Sequence, residues 1–268
     1  AANAGLDIEM VSGCYIQNLE QLVGEGKVSE ETIDNAVRNI LRLKFRLGLF
    51  ENPYINLEGK SKLYADQHLQ VAKQAVIESF VLLKNENSLL PLSKNIKTVA
   101  VIGPMADAPH DQIGTWSFDG EKQMTQTPLP ALRKQFGNDV RFVYEQALAF
   151  SRDTTTARFA NAVKIAKEAD VVLLFIGEES ILSGEAHCLA ELNLQGAQSA
   201  LVTALSQTGT PIVSIVMAGR PLTIEKEIAE STSVLYAWHP GTMGGSAIAD
   251  VLFGITNPSG KLPVTFPR

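Results

Sequence analysis

The sequence predicts an α/β protein: a doubly wound, mostly parallel α/β sandwich over residues 66–268, preceded at 1–52 by the last β/α unit of a TIM-type barrel. Three observations predict it. Four uniformly apolar runs, at 98–102, 171–176, 211–217 and 234–238, suit parallel strands buried on both faces. Stretches with helical spacing lie between them, near 157–169, 194–206 and 224–229, and strand–helix alternation is the mark of a doubly wound sheet. The chain has 268 residues, 45% of them hydrophobic, which is enough for a large domain or for one domain and part of another.

At the N-terminus, residues 4–10 read as a short strand. Ser29 can cap the helix that follows, with Glu30 and Glu31 suiting its positive first turn. Ile33, Val37, Ile40 and Leu41 then share one helical face, and Gly48 and Pro53 punctuate the end. A strand followed by helices is what the last unit of a β/α barrel would look like, but one unit alone does not establish a barrel. Residues 53–65, which hold Asn56 and Gly59-Lys60, read as a linker. Beyond it Leu69, Ala72, Val76, Phe80 and Leu83 step by three and four, which predicts an amphipathic helix. At the far end, residues 238–267 read as a strand end, a Gly-rich helix start, an Asn257-Pro258-Ser259-Gly260 turn and a final short apolar strand. No internal repeat or low-complexity tract interrupts this order.

Composition excludes several classes of function. The net charge is −6 with no basic run, which disfavours nucleic acid and anionic membrane surfaces. No apolar stretch is long enough to span a bilayer. The chain opens Ala1-Ala2-Asn3-Ala4-Gly5, without an initiator Met or the charged and apolar regions of a signal peptide, so it reads as an internal piece of a longer protein. Cys14 and Cys188 fit no metal spacing; a disulfide and two buried free thiols are equal alternatives. Neither a metal nor an organic cofactor is implied.

In open α/β sheets, ligands bind beyond the carboxyl ends of the strands. Here those ends run into Gly103-Pro104, Gly177-Glu178-Glu179, Ala218-Gly219-Arg220 and His239-Pro240-Gly241, which should converge on one edge. The loop from Gly177 to His187 is the richest, with Glu178, Glu179, Glu185 and His187. On composition alone it is a solvated acidic loop. Glu178 and Glu179 directly follow the strand and suit bracing, whereas Ser183-Gly184 can swing Glu185 outward. Trp116, in Ile113-Gly114-Thr115-Trp116-Ser117, can stack on the C–H face of a sugar or pack the loop on the core. Trp238 reads as core packing. Gly241-Thr242-Met243-Gly244-Gly245 lacks the Lys-Ser/Thr of a phosphate loop, and close strand–helix packing explains its glycines.

The run W-H-P-G-T-M-G-G-S-A-I-A-D-V-L-F-G-I-T-N-P-S-G-K-L-P-V-T-F-P, at 238–267, resembles the C-terminal part of the α/β sandwich of glycoside hydrolase family 3, the β-glucosidase family. The segment V-L-L-K-N-E-N-S-L-L-P-L at 81–92 resembles the family's lead into that domain. The resemblance spans nearly the whole chain and points to the bacterial periplasmic β-glucosidases. It implies a retaining, exo-acting β-glucosidase working on a β-glucoside or small oligosaccharide in the periplasm, with a homodimer as one assembly. By that resemblance Glu185, in its S-G-E context, is the acid/base, with Glu178 as second choice, and Trp116 lines the aglycone side of the cleft.

A retaining glycosidase needs an acid for the leaving oxygen and a second carboxylate at the anomeric carbon, about 5–5.5 Å apart. The acid's site must hold its proton near neutral pH through burial or a negative neighbour. The family's nucleophile is an Asp in an S-D-W-type context, which this sequence lacks. Residues 4–10 resemble the barrel segment after it, so Asp7 is not the nucleophile and the reactive Asp belongs upstream. The chain alone is then expected to be inactive. β-Xylosidase or exo-β-glucanase activity is the rival within the family. A non-catalytic Rossmann-like binding module is the rival from another class; it calls for a phosphate fingerprint that is not visible.

Overall fold

The structure, a computed structural model, describes residues 1–54 and 63–268. The chain divides into two compact units, Ala1–Lys62 and Leu63–Arg268. Most of the expected linker, residues 55–62, lies outside the described residues.

The first unit holds a 3₁₀ turn at Ala2–Ala4 and two helices, α1 (Cys14–Gly24) and α2 (Glu30–Arg46). The Ser29 hydroxyl accepts the Thr32 amide at 3.1 Å, capping α2 as its sequence position predicts. Glu9 does the same for α1 from outside the helix: its carboxylate accepts the Cys14 and Tyr15 amides. The strand expected over 4–10 is absent. A strand needs a neighbour to take its backbone groups, and the described residues of this unit contain none. Leu6 and Ile8 are exposed instead, as are Val37 and Leu41 on the apolar face of α2.

The second unit is built on a six-stranded sheet of order β1-β6-β5-β4-β2-β3. Its strands are β1 (Val81–Asn85), β2 (Thr98–Ile102), β3 (Arg141–Glu145), β4 (Val171–Gly177), β5 (Ile212–Met217) and β6 (Ser233–Tyr236). Five run parallel; β1 pairs antiparallel with β6, Val81 opposite Tyr236. One face is covered by α3 (Asp66–Ser79), α5 (Pro128–Phe136) and α9 (Gly244–Leu252), the other by α6 (Phe159–Lys167), α7 (Gln198–Ser206) and α8 (Glu225–Glu230); a short helix, α4 (Pro109–Gln112), sits in the connection after β2. The uniformly apolar runs follow from this sandwiching. Along β4, Val171, Leu173 and Phe175 enter the core under α3, α5 and α9, while Val172, Leu174 and Ile176 enter the opposite one. A two-residue period with helices on both faces places every β4 side chain in a core.

Three elements differ from the sequence reading. The amphipathic helix expected to run through Leu83 ends at Ser79, because Phe80 turns extended and the next five residues join the sheet edge. β3 was not expected: as an edge strand, Arg-Phe-Val-Tyr-Glu is not uniformly apolar. The final strand is also absent. Its Phe266 packs edge-on against Tyr236 and Trp238, with centroids at 4.9 and 6.0 Å, and rings rather than a backbone ladder hold the end of the chain.

Candidate functional site

The carboxyl ends of β2, β4, β5 and β6 do feed loops that meet. The meeting is made by side chains converging on the loop after β4. Ser180 donates its amide to Asp111, at the end of α4, at 3.0 Å. The Thr115 hydroxyl lies 2.6 Å from the Ser183 carbonyl and can serve the Ser180 carbonyl in turn. Ser183, buried, sits 3.2 Å from Nε2 of His239, which follows β6. Burial pushes His239 below the ordinary imidazole value, and its Nε2 faces the Ser183 hydroxyl.

The adjacent Glu178 and Glu179 are held by different arginines. Glu178 is 1% exposed and lies 3.3 Å from Nε of Arg220, in the loop after β5. Desolvation pushes its carboxyl above the ordinary range, and the guanidinium opposes that shift without cancelling it. Glu179 takes both arms of Arg152, each at 3.1 Å, and the Ser151 hydroxyl at 2.8 Å. The Arg152 hydrogen bond holds that carboxyl below the ordinary range. Both carboxylates brace the loop, the role their place beside the strand suggests.

Beyond Ser183 the side-chain pattern changes. Gly184 turns with φ +111°, and a Cβ there would stand 2.6 Å from the Thr115 methyl, so only glycine lets the loop pass. Glu185, Ala186, His187 and Cys188 are all exposed. Among the described residues no hydrogen bond or ion pair engages the Glu185 carboxylate or the His187 ring. His187 therefore does not orient Glu185.

Trp116 is 60% exposed, edge-on to the Phe118 ring at 6.0 Å. It is not a core residue of this unit, and it follows Thr115, which ties its loop to Ser183. Trp238 is half-buried and donates Nε1–H to the Ser79 carbonyl at 3.2 Å, in keeping with packing. A Cβ on Gly245 would fall 2.3 Å from the Thr127 carbonyl carbon, so close packing accounts for that glycine. Cys14 and Cys188, one in each unit, are both free and both exposed, which corrects the buried-thiol reading. Among the described residues no group of three or more His, Cys, Asp and Glu side chains is placed to hold a metal, and no helix is long and apolar enough to cross a membrane.

Several of these partners are not legible as motifs. Arg220 was visible only as a loop residue; the available signal was a cation one strand away from a carboxylate that directly ends a buried strand. Gln198, fully buried in α7, donates to the Gly177 carbonyl and accepts the Gly177 amide, both at 2.9 Å, fixing the point where the loop leaves β4. Nothing in its sequence context marks it.

Residues 80–268 match the family described as glycosyl hydrolase family 3 C-terminal domain. Over its whole length the chain is 37% identical to a periplasmic beta-glucosidase of Salmonella typhimurium, covering 38% of that protein. It is 33% identical to a beta-xylosidase of Formosa agariphila over 99% of the chain and 38% of the relative. A crystal structure of a beta-glucosidase from Listeria innocua in complex with glucose matches 99% of this chain and 36% of its own, with a TM-score of 0.87 and 38% identity. The chain thus spans less than two fifths of each of these relatives. With this match covering most of its length and a like fold in the solved structure, the chain belongs to glycosyl hydrolase family 3 and carries that family's C-terminal α/β sandwich domain.

Proposed function

We propose that this chain supplies the general acid/base, Glu185, to a retaining, exo-acting β-glucosidase whose nucleophile lies in an upstream barrel. The observation that carries the reading is the contrast within one loop: Glu178 to Ser183 are pinned at the carboxyl edge of the parallel sheet, while Glu185 stands free at the tip. A carboxyl that must trade protons with an incoming substrate cannot be spent on internal hydrogen bonds. In the first step its proton passes to the glycosidic oxygen as the bond to the anomeric carbon breaks and the upstream carboxylate bonds that carbon. In the second, Glu185 takes a proton from water as the water oxygen attacks and the enzyme carboxylate leaves. The acid of a retaining glycosidase holds its proton through burial or a negative neighbour once substrate closes the site. Trp116, exposed on the neighbouring loop, offers an indole face to the leaving sugar. The periplasmic name of the Salmonella relative supports the same compartment for this protein.

The test is leaving-group dependence in the full-length enzyme. Glu185→Ala should lower turnover of cellobiose by about 10²–10⁴-fold. Formation of the glycosyl-enzyme from a dinitrophenyl glucoside should be nearly spared, since a stable phenolate needs no proton. Azide, which needs no base, should restore turnover of that intermediate and give a glycosyl azide of retained configuration. Equal losses on both substrates without azide rescue would remove Glu185 and bring forward Glu178. The β-xylosidase relative supports a second substrate reading with the same acid, separated by comparing glucoside and xyloside kcat/KM on the intact enzyme.

A further inference from the structure

We infer that Arg220 is a positioning residue for Glu185: buried Glu178 holds its guanidinium so that one nitrogen grips the loop on both sides of the Glu185 tip. The inference rests on the reading of Glu185 as the acid/base.

The guanidinium divides its donors. Nε points to Glu178 Oε2 at 3.3 Å. Nη2 donates to the carbonyls of Leu182 and His187, the latter at 3.2 Å. These carbonyls flank the segment holding Gly184, Glu185 and Ala186, so the arginine draws a chord across the turn that presents the acid. A planar fork with fixed donor directions can do this; a lysine ammonium is a single point on a flexible stem.

The arginine is itself held firmly. Glu178 is 1% exposed, and its second oxygen finds no hydrogen-bond partner among the described residues, so Arg220 is its partner in the protein. On the backbone side, Tyr236, fully buried, donates its hydroxyl to the Arg220 carbonyl at 2.5 Å and accepts the Leu222 amide at 3.3 Å. Both supports stand at the ends of sheet strands: Glu178 follows β4 and Tyr236 closes β6. The rigidity of two sheet strands is thereby passed to an exposed turn whose own side chains make no such contacts. Misplacement of a catalytic group by about 1 Å can cost 10²-fold in rate, so a clasp at this point bears on chemistry.

The experiment uses the full-length enzyme, with Arg220→Lys, Glu185→Ala and the double variant. If Arg220 acts through Glu185, Arg220→Lys should lower kcat/KM on cellobiose by about 10–10²-fold. Its kcat/KM on a dinitrophenyl glucoside, which reports the step needing no proton, should change less than threefold, or about 0.7 kcal/mol. In the Glu185→Ala background the same change should add nothing on cellobiose, because the group it positions is gone. Equal losses on the two substrates, or full additivity in the double variant, overturn the inference. If Arg220→Lys does not fold, Arg220→Gln takes its place, and failure of both to fold assigns the residue to stability and overturns the inference as well. The Glu185→Ala profile separates the two failures: normal leaving-group dependence there with none for Arg220→Lys sinks only the clasp, whereas its absence sinks the acid/base reading on which the clasp rests.

Discussion

Between Glu178 and Ser183 every polar side chain has a protein partner: Arg220, Arg152 with Ser151, Asp111, and Thr115 with His239. From Gly184 to Cys188 no side chain has one among the described residues. The two halves of the loop are contiguous and each carries a carboxylate, yet their neighbours differ. The first half lies against the loops after four other strands, where a carboxylate without a partner would be costly. The second half projects past that edge, and its side chains are exposed. Polarity in a sequence thus says little about role; the number of internal bonds a polar group makes says more.

The largest effect that would sharpen this contrast is on stability. Glu178→Ala leaves the Arg220 charge, 17% exposed, without its carboxylate, and should cost about 3 kcal/mol, the low end for breaking a buried pair. Glu185→Ala should stay within about 0.5 kcal/mol, as for a surface side chain with no partner. Equilibrium urea unfolding of the 268-residue chain reads both, and equal costs would erase the distinction between root and tip.

Next comes the pH dependence of the two bracing glutamates. Burial raises the Glu178 carboxyl in the folded state, so the proton-linked part of its contribution to stability is complete below the ordinary carboxylate pKa and is lost as pH rises through the folded value. Arg152 lowers the Glu179 carboxyl, so that contribution is complete above the ordinary value and is lost as pH falls through the folded one. The stability difference between the parent and Glu178→Gln should therefore shrink from pH 4 to pH 7. The difference between the parent and Glu179→Gln should grow over the acid range, up to about pH 5. Parallel slopes for the two variants would mean that the two environments are not opposed as described.

The sheet was legible because its physics is strong. Residues 98–102 appear as β2 with the expected bounds, and the central strands end within a residue or two of the apolar runs, since burial on both faces leaves a continuous signature. The edges were not. β1 continues a helix with the same apolar spacing, and a backbone ladder with β6 outweighs that periodicity. Residues 4–10 have strand composition without a strand, because pairing is a property of the neighbour rather than of the segment. The candidate site was legible in its carboxylates and its exposed indole, but not in its supports. Arg220, Thr115 and Gln198 reach the loop across sequence separations of 38, 68 and 21 residues, and no local pattern encodes such a contact.

A smaller effect tests the neutral part of the root. Thr115→Val removes the hydroxyl that serves the Ser180 and Ser183 carbonyls while nearly keeping its volume, and should cost about 1 kcal/mol. Faster amide exchange should follow at Ser183 and in the tip but not in β4. Exchange that rises equally in β4 would mean that the loop is held by the sheet as a whole rather than by this hydroxyl.

A small stability effect is also expected at Trp116, where the tip's logic extends to a second loop. An indole packed in a core costs about 3–5 kcal/mol when cut to alanine. Trp116 is 60% exposed and its ring contact is with Phe118, itself 83% exposed, so little of that cost applies. Trp116→Ala should shift the unfolding midpoint of the chain by less than a typical core truncation, by about 1 kcal/mol or less. If the ring stacks on the leaving sugar, the loss appears instead in binding: KM for disaccharides rises in the full-length enzyme while KM for a small alkyl glucoside, which offers no second ring, stays near the parent value. Trp116→Phe should recover part of the disaccharide affinity, since a smaller aromatic face still meets the C–H surface of a sugar. A large drop in stability with unchanged KM for both substrates would place Trp116 with the root, among the residues that hold the loop rather than those that meet the ligand.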